Sequence, residues 1–359
     1  MGRCSLHSWG TMQFNPLTCT SPLMGEARRG WASRTSLIEY LPMPHRFLTN
    51  RLIDLVVVLF GVSLVVFMMI RLIPGDAVAI MLGANTEITP ERMAELRARV
   101  GLDQPLLVQY WNWITGALRG DLGTSIWTGR PVMSEIAANI WPTFELTLLS
   151  VLVGAGLSIP IGAFMATARG KGAEVAVRIG AIAGLTIPSF WLGIVSIFLV
   201  AKLLPGVQAL GYVPFTEDPL GNLQRMILPV IALSLPMLAN LSRLVRSAML
   251  DALSQDYIRT AKAKGASKRR IVYRHALRNA LIPFITSVGV SAGYLLGGAI
   301  VIEQVFAIPG LGRLVLGAIA ERNYPLVQAT ILVMTFAFVI VNFIVDLLYA
   351  VIDPRVSRR

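Results

Sequence analysis

The run from Leu52 to Ile70 carries a single charge, Asp54, close to its beginning. About 20 consecutive apolar residues are what a helix needs to cross the hydrocarbon of a bilayer. Five further runs of the same kind follow, over residues 142–168, 175–204, 226–245, 281–305 and 324–352. Such a chain has few choices. It is expected to be an all-α membrane protein with six transmembrane helices and a long loop, residues 75–141, between the first two. Composition agrees: 55% of residues are hydrophobic and 14% charged, with mean hydropathy +0.64, whereas an ordinary soluble domain carries about 25% charged residues.

Charge sets the expected topology. The net charge is +12, which raises nucleic acid as a partner. No interleaved stacking aromatics or nucleic-acid motif accompany it. The Lys and Arg cluster beside the apolar runs instead, as cytoplasmic retention and contact with anionic membrane lipid require. Arg169 and Lys171 follow the second run. Between Asp256 and Asn279 stand Arg259, Lys262, Lys264, Lys268, Arg269, Arg270, Arg274 and Arg278 against the lone acid Asp256. In the 75–141 loop acids outnumber bases. Both termini are therefore expected in the cytoplasm and the long loop outside.

Several segments have a bland reading. Residues 1–45 are polar and lack the apolar core of a signal peptide. They are expected to be a disordered extension or a mis-assigned start, Met43 in MPHRFLTNR being a natural first residue; the transmembrane domain is then 46–359. Thr89-Pro90-Glu91 marks a helix start. Leu106 to Leu118 is amphipathic, and its Tyr110, Trp111 and Trp113 suit the headgroup level. GDLGTS, Gly120 to Ser125, lacks the Lys and spacing of a phosphate loop. TIPSFW, Thr186 to Trp191, predicts a proline kink within the third span. Small residues in the fifth span, Gly289 to Ala299, predict close helix packing. Arg243, Arg246 and Arg278 read as interface anchors, and Glu303 and Asp346 as partners for arginines on neighbouring helices. Cys4 and Cys19, with His7, His45 and His275, form neither a disulfide framework nor a metal-binding spacing.

One hydrophilic stretch stands out, DYIRTAKAKGASKRRIVYRHALRNALIP, Asp256 to Pro283. Leu253, Tyr257, Ile258 and Ala261 recur at helical spacing. Gly265 can end that helix in a left-handed conformation. Ser267 can cap a second, which carries Ile271 and Val272. A helix–Gly–helix elbow with a small apolar face and a charged flank suits the groove of a partner. A merely solvated basic loop is the competing reading.

This stretch, with RLIPGD, GLDQP, PGLGR and NYPLVQ elsewhere, resembles the permease subunits of bacterial ABC importers, in the branch that carries dipeptides, oligopeptides, glutathione or nickel. The resemblance covers residues 46–355. It implies that the 248–279 loop couples the chain to ATP-hydrolysing subunits. The coupling helix would be Asp256, Tyr257, Ile258, Arg259, Thr260, Ala261, Lys262, Ala263, Lys264 and Gly265. It implies as partners a second permease, two ATP-binding subunits and an extracytoplasmic substrate-binding protein, with ATP-Mg used by those partners and no cofactor in this chain. No Walker loop, nucleophile–base constellation or metal cluster marks the chain as an enzyme. The alternative is a solitary secondary transporter or channel. The span centres disfavour it, being apolar or Ser/Thr where an ion-coupled carrier would place ionisable groups.

Overall fold

The computed structural model describes residues 45–72, 103–168 and 172–352. These are helical throughout, apart from turns and one isolated bridge between Thr124 and Pro131. In chain order the helices are α1 (His45–Leu72), α2 (Leu106–Leu118), α3 (Val132–Thr167), α4 (Gly172–Thr186), α5 (Ser189–Leu203), α6 (Pro219–Ser254), α7 (Asp256–Ala263), α8 (Lys268–Phe306, π-helical over Ile271–Ala276), α9 (Leu311–Ala320) and α10 (Tyr324–Ile352). The expected Thr89 helix start and the Arg169–Lys171 turn lie outside the described residues.

Among the described residues five stretches are long and apolar enough to cross a membrane: Thr49–Met69 of α1, then α3, α6, α8, and Tyr324–Leu347 of α10. The expected third span, 175–204, is not one rod. It is the α4–α5 pair, bent by 104°. Pro188 is the cause: it has no N–H and stands in extended backbone (φ −61, ψ 135) as the N-cap of α5. The helical bonding runs up to the break on one side and resumes just after it on the other, with no side-chain cap at the start of α5. The Ile187 amide donates to the Ala183 carbonyl and the Leu192 amide to that of Pro188.

The spans are also longer than hydropathy indicates. Helices α3 and α6 have 36 residues each, about 54 Å at 1.5 Å per residue. That exceeds the roughly 30 Å of bilayer hydrocarbon, so both project beyond it. Helix α3 begins ten residues before Pro142, where the second span was expected to start.

Helix α6 is the central element. It packs most extensively on α3, then on α8, and also contacts α4 and α5. Leu146, Leu241, Val245, Met249, Ile302 and Phe306 are fully buried in the main core. A second cluster gathers Leu122, Val132, Ile136, Leu311, Ala318, Leu326 and Ala329 where α3, α9 and α10 meet. The peripheral α1 is tied to α10 by Arg51 Nε and Asp346 Oδ2, 3.2 Å apart, so Asp346 does pair with an arginine. Helix α2 has the expected bounds. It turns Tyr110 toward α1, where its hydroxyl lies 2.7 Å from Ser63 Oγ and its ring meets Phe67 edge-on. Trp113 also packs near Phe67, while Trp111 faces outward.

Among the described residues Glu303 has no arginine side chain as partner. It is fully buried and receives the Thr143 hydroxyl at 2.5 Å and the Arg313 amide at 3.0 Å. Thr143 Oγ1 also accepts from the Leu311 amide at 2.8 Å. The carboxyl group thus sits at the N-terminus of α9, where amides lack helical acceptors and the dipole favours negative charge. Replacing Thr143 by Val strands the buried Leu311 amide and removes a donor from Glu303. This substitution is expected to lower stability by about 1–3 kcal/mol. Thermal unfolding in detergent measures the loss, and Thr143→Ser, which keeps the hydroxyl, should recover most of it.

Candidate functional site

The basic stretch folds as an elbow joining the two long helices α6 and α8. Helix α6 ends at Ser254, Gln255 is extended (φ −73, ψ 151), and α7 starts at once. Asp256 in its first turn and Lys262 in its last both suit the helix dipole. The exit is a Schellman turn. The Ala266 amide donates to the Ala261 carbonyl at 3.1 Å and the Gly265 amide to that of Lys262 at 2.9 Å. Gly265 holds φ +78 there. A side chain at Gly265 would meet no neighbour, so the demand for glycine comes from the backbone angle rather than from space. Ser267 then caps α8, its hydroxyl oxygen accepting from the Arg270 amide at 3.4 Å.

The expected apolar face is divided. Ile258 is fully buried, facing the interior, and α7 rests on the end of α6 and the π-helical turns of α8. Ile271, Val272 and Ala276 are buried in those turns. Leu253 and Ala261 are half-buried, whereas Tyr257 is 41% exposed. Asn279 Nδ2 donates to the Tyr257 hydroxyl at 2.7 Å and so ties α7 to α8. One apolar anchor and one hydrogen bond therefore close the elbow, leaving the ring of Tyr257 outside. Around it Arg259, Thr260, Lys262, Ala263, Lys264 and Gly265 are exposed. Asp256 and Arg259 approach to 3.5 Å with both side chains largely in solvent, so their pairing adds little stability. The second helix of the elbow is not a separate short one, as read from the sequence. It is the first part of α8, continuous with the fifth span.

The outward surface is strongly basic. Lys268, Arg269, Arg270, Arg274 and Arg278 are exposed on α8 beside the basic residues of α7. Arg243 is exposed too. Arg246 is not simply an interface anchor: its Nη2 reaches Glu174 Oε1 at 3.1 Å, and Glu174 is 3% exposed. This contact joins α6, two turns before the elbow, to the start of α4. Sequence spacing carries no signal for the Glu174–Arg246 pair, nor for Thr143 with Glu303. Among the described residues no three His, Cys, Asp or Glu side chains gather to hold a metal ion.

The family model described as binding-protein-dependent transport system inner membrane component matches residues 158–358, and the N-terminal model for the same kind of membrane component matches 44–142. The chain belongs to this family. Over 307 residues, 86% of the chain, it is 39% identical to a Brucella suis biovar 1 protein named as a peptide transport system permease, covering 97% of that protein. Over 318 residues, 87% of the chain, it is 38% identical to the glutathione transport system permease of Salmonella typhimurium, covering 99% of it. A solved structure of the MetNI methionine ABC transporter, inward facing, shares the fold over 62% of this chain and 97% of its own, with TM-score 0.51 and 17% identity. The resemblance to peptide-branch ABC permeases is thereby met, and the permease is a multi-pass inner-membrane transport component. The elbow lies inside the matched 158–358 region.

Gly265→Val puts a β-branched side chain in the left-handed region. The elbow should loosen by about 1–2 kcal/mol, and trypsin should cut faster after Lys262, Lys264 and Lys268. Gly265→Asn, which tolerates that angle, should stay close to wild type in limited proteolysis.

Proposed function

We propose that this permease is one membrane half of an ATP-driven importer carrying peptides, or glutathione-like peptides, across the inner membrane by alternating access. Membership of the binding-protein-dependent family supports the class. The names of the Brucella and Salmonella relatives support the cargo. In this reading a second permease completes the pathway and an extracytoplasmic binding protein delivers the peptide. Two separate ATP-binding subunits hydrolyse ATP-Mg, and this chain contributes no catalytic residue and holds no cofactor. The basic elbow faces the cytoplasm with both termini, and the acidic 75–141 loop faces out.

The observation that carries the mechanism is the continuity of the elbow with α6 and α8. Asp256 to Gly265 form a coupling helix whose exposed side, centred on Tyr257, docks in a groove of the ATP-binding subunit. Ile258 holds the helix to the bundle, so displacement of the docked side is passed to two membrane-crossing helices. Closure of the ATPase dimer then biases the bundle between inward and outward states, which is coupling between distant sites. An isolated carrier has no use for a docking elbow, and no feature of the structure favours that alternative.

Co-purification and transport test this reading together. Tyr257→Asp places a charge where the exposed ring would enter the groove. It should weaken ATP-binding-subunit recovery by about tenfold, a loss of roughly 1.4 kcal/mol. Gly265→Pro removes the amide that bonds Lys262 and forbids φ +78. It should leave membrane insertion intact and abolish peptide-stimulated ATP hydrolysis. Undiminished recovery and normal coupled transport in both variants would overturn the docking role.

A further inference from the structure

The end of the bundle remote from the elbow carries a cleft of about 270 Å³ between α3, α9, the 125–131 loop and the start of α10. Helix α8 spans 39 residues, about 58 Å at 1.5 Å per residue. Its first residue, Lys268, follows the Ser267 cap at the elbow, and the turn after its last residue, with Pro309 and Gly310, lines the cleft. Elbow and cleft therefore face opposite sides of the membrane.

The lining has a definite chemistry. Glu135 and Asn139 come from successive turns of α3, Arg313 from α9 and Glu321 from the residue that ends it, with Leu314 and Leu326 supplying apolar wall. Among the described residues none of Glu135, Arg313 and Glu321 forms an ion pair. Glu135 Oε1 accepts from the Thr128 hydroxyl, and Asn139 Nδ2 donates to the Glu135 backbone carbonyl at 2.7 Å. Among the described residues the second Glu135 oxygen and the Asn139 carbonyl oxygen have no partner of their own. The walls are fixed from behind. Buried Asn323 donates to Ser125 Oγ at 2.8 Å, and the indole of Trp127 donates to the Glu321 carbonyl at 2.8 Å. The Arg313 amide is held by Glu303. These bonds fix the backbone that carries Arg313 and Glu321, whose side chains are exposed, so the frame of the cleft is set before a ligand enters.

We propose that this cleft binds a small zwitterion, a short peptide with free termini, its ammonium group against Glu135 and Glu321 and its carboxylate against Arg313. Two carboxylates and one guanidinium match one cationic and one anionic end, since a planar guanidinium pairs bidentately with a carboxylate. A metal ion alone is a poor fit, because no triad of metal-ligating side chains forms among the described residues. The volume lies just below the usual 300–1,000 Å³ of ligand pockets, which suits two or three residues rather than a long peptide. The choice of a peptide among zwitterions rests on the transport reading. The charge complementarity rests on the cleft alone. A site on the side away from the elbow would receive incoming substrate before the bundle does.

Calorimetry on the full chain in lipid nanodiscs, with L-alanyl-L-alanine as probe, tests this. Saturable binding is expected, weakened at least about tenfold for the same dipeptide N-acetylated and C-amidated, and by about tenfold in Glu135→Gln and in Arg313→Gln. Each variant should unfold at the wild-type temperature, and Arg313→Lys should bind at an intermediate level. No saturable binding of the free dipeptide overturns the proposal, as does equal binding of the capped one or wild-type affinity in both charge-removing variants. The assembled transporter separates the two readings. Peptide transport with wild-type affinity in both variants removes the cleft and leaves the transport reading. Selective dipeptide binding in a complex that moves no peptide removes the transport reading and leaves the cleft.

Discussion

In hydrocarbon every backbone N–H and C=O has to be satisfied within the protein, because no water is available to do it. That demand governs this molecule more than any side chain. It makes the spans helices; α3 and α6, of 36 residues each, then run on past the bilayer, where water relaxes the demand but nothing stops the helix. It also moves irregular backbone to helix ends. Pro142, Pro160, Pro229, Pro236 and Pro283 sit inside helices that continue through them. Pro188 instead begins a new helix at 104° to the old one.

The helix ends are where sequence-specific chemistry appears. At the elbow, orphan carbonyls of α7 are taken by a Schellman turn that requires Gly265, and one orphan amide of α8, that of Arg270, by the Ser267 hydroxyl. At the far end of α8, the chain turns through Ala307 in left-handed backbone, φ +55. There the free amides of α9 are met by Thr143 and Glu303 from other helices. The first solution is local and leaves the elbow's outside free for contact. The second is tertiary and welds α3, α8 and α9 together. A buried carboxyl group is tolerable there because donors surround it; an unpartnered one would be costly.

The readability of the sequence follows that division. Spans were visible because hydropathy over some 20 residues is a strong, additive signal, and α2 and α7 because their spacing and stop residues are contiguous. Gly265 and Ser267 announced the elbow correctly, since capping depends on neighbours two to five residues away. What could not be read involves long separations. Thr143 and Glu303 are 160 positions apart, and neither has a pattern around it that points to the other. Arg246 looked like an anchor because an arginine at a span end usually is one. Only the fold brings Glu174 to it. The inward turn of Ile258 was ambiguous for another reason. A short apolar face of Leu253, Tyr257, Ile258 and Ala261 can be covered by a partner or by the bundle, and spacing does not distinguish the two.

The Glu174–Arg246 pair gives the elbow a longer reach than its own contacts suggest. Arg246 lies on α6 two turns before Ser254, and Glu174 lies at the head of α4. Burial of such a pair is poor value as stability, because desolvating both charges cancels much of their attraction. Its effect is better understood as register. With Glu174 3% exposed, sliding α6 past α4 would leave its carboxylate only the longer contact with Arg178 on its own helix, at 4.0 Å, and taking one partner from a buried charge costs more than the intact pair contributes. Helix α4 is consequently bound to follow α6 at this end, whereas beyond the break at Pro188 α5 is free to keep a different course against α6 and α8. The elbow is thus joined to α6 and α8 through the chain, and α6 to α4 through an ion pair, while the 104° break at Pro188 sets where that connected group of helices changes direction.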